Sequence, residues 1–291
     1  MVCLVVMMDI GDMVEKIFSG RWIAGATIAD SLSITKKFNR VGVETMINYL
    51  GEDFTNIDDV NNSLAMYMRI LKSIKSAGRQ ASISVKPSQI GMLISDKVLN
   101  SNYKKIITKA KRYGVFVWLD MEESEYVDKT IKLYLSNVKA GNTGICIQAY
   151  LRRSESDIKV LVRKKAVIRL VKGAYSENQK ISYPNRMAVT KNYYKLMNYL
   201  FKKSGRFMIA THDKKVVLEA LKANKTYSRD VTYAMLNGIQ NRYLVELAES
   251  GEKTSVYVPF GPKWFGYSIR RLKEAGHAYL LFLSLFNNQG V

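Results

Sequence analysis

Eight short runs rich in apolar, β-branched and aromatic residues recur along this chain, and longer stretches with apolar residues at three-to-four spacing separate them. The runs are 45–50 (TMINYL), 82–86 (SISVK), 115–120 (VFVWLD), 144–151 (GICIQAYL), 166–172 (AVIRLVK), 206–211 (RFMIAT), 231–236 (VTYAML) and 255–260 (SVYVPF). Each gap accommodates one crossover helix and two short loops. The gap between the first two holds 61–78 (NNSLAMYMRILKSIKSAG), which has a polar start, helical periodicity and a glycine stop. Strands alternating with helices specify βα units and a parallel sheet. Eight such units in a chain of 291 residues specify an α/β fold of the (β/α)8 barrel type. A doubly wound open sheet is the alternative, and its dinucleotide-binding form is disfavoured because no glycine fingerprint follows the first strand.

No Gly/Ser/Pro-rich linker interrupts the rhythm, so 1–291 reads as one barrel domain. Its parts are a helical lead-in (1–42), the barrel (43–276) and a tail (277–291). Residues 13–41 are expected to form one or two helices ahead of the first strand, plugging the bottom of the barrel. Hydrophobic residues at 47% and charged residues at 24% exclude a largely disordered chain. Cys3 and Cys146 are too few for a disulfide framework, and His212 and His277 too few for a histidine-built metal site, so no metal is expected. The start, 2–8, lacks a basic flank and a cleavage site. The apolar run 278–286 is about half the length needed to span a bilayer. These features describe a soluble or peripheral protein of a reducing compartment. The net charge of +20 raises nucleic acid, anionic lipid and acidic ligands as partners.

In a barrel of this kind, working residues lie at the C-terminal ends of the strands. Here the second run ends in Lys86 and the third in Asp120. The fourth carries Gln148, and the fifth carries Arg169 and Lys172 before Gly173, Ala174 and Tyr175. The sixth ends in Thr211 and His212, and the eighth holds Tyr257. A charge inside an apolar run is costly unless paired, so these positions imply mutual pairing or a ligand. Each residue also has a plainer reading. Lys86 can be a solvated loop residue, Gln148 a satisfied interior amide and His212 structural. Glu122 and Glu123 read as first-turn helix acids. After the eighth strand, Tyr267, Arg270, Arg271 and Glu274 share roughly one helical face. Paired arginines there suit a carboxylate or phosphate, or form a solvated basic helix.

These segments resemble the proline dehydrogenase family. The matching stretches are RLVKGAY (169–175), ISVKPS (83–88), LDMEES (119–124), IQAYLRR (147–153), ATH (210–212), YVPFG (257–261) and the Y-x-x-R-R-L-x-E helix at 267–274, with FNR (38–40) and YLGE (49–52) upstream. They run in order from about residue 20 to 276. The resemblance implies a flavin-dependent barrel that binds FAD in preference to FMN and oxidises L-proline to Δ1-pyrroline-5-carboxylate. Hydride would pass from the ring C5 to flavin N5, and the electrons would go on to a quinone or another membrane acceptor. Lys86, Arg270 and Arg271 would hold the substrate carboxylate. Tyr257, Tyr267, Ala174, Tyr175 and Leu236 would wall the ring, Asp120 would orient the cations or the substrate amine, and Glu274 would support Arg271 or Tyr257. On the cofactor side, Arg169 would lie near N5 and Gln148 at the pyrimidine end. Lys172, Gly173, Ala174, Arg186, Thr211 and His212 would lie along the remainder.

Ser176 stands where the family often has a large residue, and Pro87 replaces a leucine. Tyr257 matches the proline-specific members, and no aldehyde dehydrogenase module is present, which implies the monofunctional form. The expected setting is cytoplasmic, peripheral at the inner face of an anionic membrane, with a homo-oligomer or partner subunit as further company and no nucleic acid. A basic nucleic-acid-binding protein and a dehydrogenase for another cyclic amino acid such as hydroxyproline are the alternatives.

Overall fold

The computed structural model describes residues 22–175 and 177–262. Eight parallel strands close into a barrel in chain order. They are β1 (Glu44–Tyr49), β2 (Ala81–Val85), β3 (Val117–Leu119), β4 (Thr143–Gln148), β5 (Val167–Val171), β6 (Arg206–Ala210), β7 (Asp230–Leu236) and β8 (Lys253–Phe260), with β8 returning to pair with β1. The helices α2 (Ile57–Ser76), α3 (Asp96–Tyr113), α4 (Val127–Asn137), α5 (Ser154–Arg163), α6 (Arg186–Lys203), α7 (Lys214–Tyr227) and α8 (Asn241–Glu249) alternate with the strands. All eight strands fall on the runs expected from the sequence. β3 and β4 are shorter than those runs. Val115 is taken up by the turn that ends α3 at Gly114, and Leu151 leaves the barrel to bridge Ser182. Helix α2 starts ahead of its apolar pattern because Asn56 caps Asp58 N, with Asp58 and Asp59 complementing the helix dipole.

A helix α1 (Ile28–Arg40) precedes β1. Thr27 and Asp30 form a capping box at its start. Just before it, Ala24 N donates to Pro259 O and Gly261 N to Gly25 O, so the chain arrives at the C-terminal end of β8. At the far end of α1, the Asn39 amide bridges Val43 O and Gln80 O. Helix α1 thus stands in the outer wall against β8 and β1, with Thr35 hydrogen-bonded to Thr45. This corrects the expectation of a bottom plug for the part of the lead-in that the structure describes. Phe38 and the apolar stripe of α1 find their cover on the strand faces, which is where the main core lies. The tail 277–291 lies outside the described residues.

The register decides which side chains enter the barrel. Met46 stands level with Ser82 and Tyr257, Trp118 with Ser84, Cys146 with Arg169, and Arg169 with Met208. Because strand side chains alternate, Asn48, Ser84, Lys86, Trp118, Asp120, Gln148 and Arg169 all point inward. A lower interior layer is apolar, built from Met46, Trp118, Met208 and Ala234. The polar groups lie above it, toward the C-terminal mouth. Gly144 makes room for the indole, since a Cβ there would lie 2.5 Å from the Trp118 ring. Gly144→Ala is expected to overpack this layer and cost about 1–3 kcal/mol, read as a lower urea midpoint with unchanged slope.

Candidate active site

The centre of the mouth is a buried ion pair. Arg169, inward on β5, contacts Asp120 at the end of β3, and both side chains are under 10% exposed. Asp120 also accepts from Ser84 Oγ at 2.5 Å and from the Tyr257 hydroxyl at 3.1 Å. The Arg169 guanidinium lies 5.5 Å from the Trp118 ring centre and 5.6 Å from that of Tyr257, and it contacts Met46 Sδ. Burial pushes the Asp120 carboxyl up. Arg169 and Lys86, helped by the Ser84 hydroxyl, reverse this and hold it below the usual carboxylate range. The carboxylate is therefore ionised and faces the mouth.

Lys86 stands one step higher, at the end of β2. It is buried, which excludes the solvated-loop reading. Its ammonium pairs with Glu52 Oε2 at 3.1 Å and donates to the Tyr175 hydroxyl at 3.1 Å. Burial opposes its charge, yet Tyr175, Glu122, Glu52 and Asp120 together raise its pKa well above the ordinary lysine value. Lys86 with Tyr175, and Asp120 with Arg169 and Tyr257, thus form two contact groups, coupled through the attraction between the Lys86 and Asp120 charges.

Glu122 overturns its sequence reading. It is fully buried rather than a first-turn acid, and α4 begins only at Val127. Its carboxylate accepts from Ser88 N at 2.9 Å and from Ser88 Oγ at 2.5 Å, and its carbonyl accepts from Gln148 Nε2 at 2.9 Å. Ser88 in turn accepts from Asp53 N and Phe54 N, so one serine joins the loops after β1, β2 and β3. Gln148 is accordingly a satisfied interior amide on its nitrogen side. The signal for Glu122 was available, since it lies two residues after inward-pointing Asp120. Ser84 is likewise in phase with Lys86.

On the β5–β6 side, Lys172 Nζ pairs with Asp213 at 2.8 Å and donates to Thr190 Oγ1 at 3.1 Å. Thr211 Oγ1 accepts from Asp213 N, and Asp213 caps α7. His212 Nε2 accepts from Leu236 N at 2.8 Å, tying the β6 loop to the end of β7. Gly173 has φ +113, and a Cβ there would collide with the Tyr150 ring. Only glycine lets the loop pass so close to β4. Ala174 follows it, half-buried, and Arg186 is exposed at the first position of α6. Tyr267, Arg270, Arg271 and Glu274 lie outside the described residues. Partners to which the sequence reading assigns no role are Glu52, Ser84, Asp213 and Thr190.

These residues fit a flat, anionic, hydrogen-bonding cofactor. Arg169 Nε is buried and has no partner among the described residues. An orphaned buried donor is costly, and a ligand acceptor in the mouth would satisfy it. Lys172 and the backbone around Gly173 offer a cation and close approach on the same side. No cluster among the described residues could hold a metal ion.

The family model described as proline dehydrogenase matches residues 32–279. Proline dehydrogenase 1 of Bacillus subtilis subsp. natto is 30% identical over 267 residues, covering 90% of this chain and 88% of the relative. Proline dehydrogenase of Deinococcus radiodurans is 29% identical over 263 residues, covering 87% and 85%. A crystal structure of proline utilization A from Bdellovibrio bacteriovorus superposes with a TM-score of 0.85 at 20% identity, covering 96% of this chain. This chain spans 35% of that longer one, and the likeness shows the shared barrel fold.

Burial pushes the Glu122 carboxyl up to about 7, against the lowering effects of Lys86 and Ser88. The same group has an ordinary value of 4.5. Between these values the folded state binds more protons than the unfolded state, so this group makes stability fall as pH rises. Relative to Glu122→Gln, which keeps the Ser88 bonds, the parent protein should lose about 3 kcal/mol between about pH 4.5 and about pH 8. Urea unfolding across that range tests this, and parallel pH profiles for the two proteins would refute it.

Proposed function

This chain belongs to the proline dehydrogenase family, and on that premise we propose that it oxidises L-proline to Δ1-pyrroline-5-carboxylate with a bound flavin, FAD in preference to FMN. Proline presents a carboxylate, an amine and an apolar ring. The observation that carries the reading is the interior cluster of Lys86, Asp120, Arg169, Tyr175 and Tyr257, which offers a cation, an anion and two aromatic walls at the mouth of the barrel. Flavin, when bound, supplies the two-electron acceptor for hydride from the ring C5.

The chain's own residues bind and orient. Lys86 holds the substrate carboxylate together with Arg270 and Arg271, both within the span that the family model matches. Glu52 competes for Lys86 until a carboxylate takes its place. Asp120 stays ionised and attracts the substrate amine, while the Tyr175 and Tyr257 rings, with Ala174, Leu236 and Tyr267, exclude water from the ring. Glu274 supports the arginines. Arg169 would offer its unpartnered Nε to the cofactor and stabilise negative charge there. Gln148, Lys172, Gly173, Thr211, His212 and Arg186 would hold the remainder. A quinone or another redox partner takes the electrons through the same mouth, and a cytoplasmic, membrane-peripheral setting suits that exchange.

A purified sample should be yellow, and anaerobic L-proline should bleach its visible flavin band. A protein that takes up no flavin would overturn the proposal. Lys86→Ala should raise KM for proline about 10- to 100-fold with flavin retained, because it removes one charge-assisted contact to the carboxylate. Arg270→Ala and Arg271→Ala should each do the same. Steady-state kinetics that leave KM unchanged in all three would place the carboxylate elsewhere.

A further inference from the structure

Tyr67 belongs to α2, in the outer layer, yet its buried hydroxyl reaches the strand that carries Lys86. It donates to Gln89 Oε1 at 2.5 Å and lies 3.3 Å from Ser84 O. These two partners bracket Lys86. Ser84 precedes it by two residues, and Gln89 ends the buried 3-10 turn Pro87–Gln89 that follows it. Lys86 stands at the N-cap position of that turn, where a lysine offers no acceptor, and the turn has no side-chain cap. Its support comes from outside. Glu122 holds Ser88 from the β3 side, and Tyr67 holds Gln89 from the helix side. Gln89 N donates to Lys86 O at 3.1 Å and closes the turn.

The Gln89 amide also faces the end of β1. Its Nε2 donates to Tyr49 O at 2.9 Å. Two residues on, Gly51 has φ +143, and a Cβ there would lie 3.0 Å from the same nitrogen. Glu52, the partner of Lys86, comes next. A backbone carbonyl can only accept, so Nε2 must face Tyr49 and Oε1 must face Tyr67. One amide therefore spans both arms of the Glu52–Lys86 pair, and the Tyr67 hydroxyl holds its oxygen end. Burial raises the Tyr67 pKa well above the ordinary tyrosine value, with Asp120 and Glu122 adding to this and Lys86 opposing it. The hydroxyl thus stays a donor, within the field of the charges at the mouth.

We propose that Tyr67 is a positioning residue for substrate binding: through Gln89 it sets the place of the Lys86 ammonium, and so the affinity for the substrate carboxylate. It acts from behind the strand and needs no contact with the substrate. The inference rests on the proline reading above, in which Lys86 meets that carboxylate.

The test is steady-state kinetics of the flavin-loaded full chain with L-proline and a soluble dye acceptor, accompanied by thermal melts. Tyr67→Phe removes one hydroxyl and keeps the ring. It should raise KM about five- to tenfold and keep kcat within about twofold of the parent. Gln89→Leu should act in the same direction. Ser63, one turn earlier on α2, has a buried hydroxyl with no partner among the described residues. Ser63→Ala disturbs the same helix and should leave KM as in the parent. In a Lys86→Ala background, Tyr67→Phe should change KM less than twofold, because the group it positions is gone. A purely structural role would lower the melting temperature and the active fraction without this split. Three results would each overturn the inference: an unchanged KM in Tyr67→Phe, a fall in kcat alone, or the full effect persisting in the Lys86→Ala background. A parent protein that proline does not bleach would overturn the proline reading and this inference with it. A parent that bleaches normally, with any of those three results, would overturn this inference alone.

Discussion

The site depends on one buried ion pair, Asp120 with Arg169, placed inside a barrel whose lower interior is apolar. Two charges removed from water are stable only when their geometry is fixed and their remaining hydrogen-bonding capacity is met. Asp120 satisfies this through Ser84 and Tyr257. Arg169 meets it in part, through Asp120 and the Ser84 hydroxyl, with the Trp118 and Tyr257 rings packed against its cation. The guanidinium keeps its Nε without a partner among the described residues. That donor is where the proposed cofactor would meet the pair. Removing either partner would leave an uncompensated buried charge, at a cost of about 3–5 kcal/mol.

A second constraint is less visible and equally consequential. Glu122 fixes Ser88, and Ser88 fixes the loops that carry Glu52 and Lys86. The same residue's carbonyl holds the Gln148 amide. One buried carboxylate thereby links the side of the mouth proposed for substrate to the side proposed for flavin. Its positions relative to Lys86 and Gln148 are set by strand ends, which are rigid, while the loops they steady are long and polar.

The architecture was legible because each strand is a compact apolar run and each helix keeps its own period. Boundaries were less legible where local hydrogen bonds compete with the ladder, as at Val115 and Leu151. Within the site, Lys86, Asp120, Arg169 and Tyr257 stood out as polar groups in apolar surroundings. Glu122 did not, because adjacent acids look like a helix start, and only the two-residue phase with Asp120 places it indoors. Glu52 and Asp213 were illegible for another reason: each is an ordinary acid in a polar loop, and its meaning comes from a lysine 34 or 41 positions away in the chain. The location of α1 was also hidden, since an amphipathic helix fits a plug and a wall equally well.

The pairing of β8 with β1, with α1 packed on both, has a consequence for how the chain comes to be folded. The contacts that close the ring join residues near position 45 to residues near position 257, almost the full described length apart. Loop-closure entropy makes such contacts the last to form. On the ribosome, α1 and β1 emerge before the other described elements yet lack their neighbour until β8 appears. Until then the nascent barrel is an open sheet with unpaired edges on β1 and on its newest strand. Those edges are the places where a stalled or truncated chain would pair with another copy.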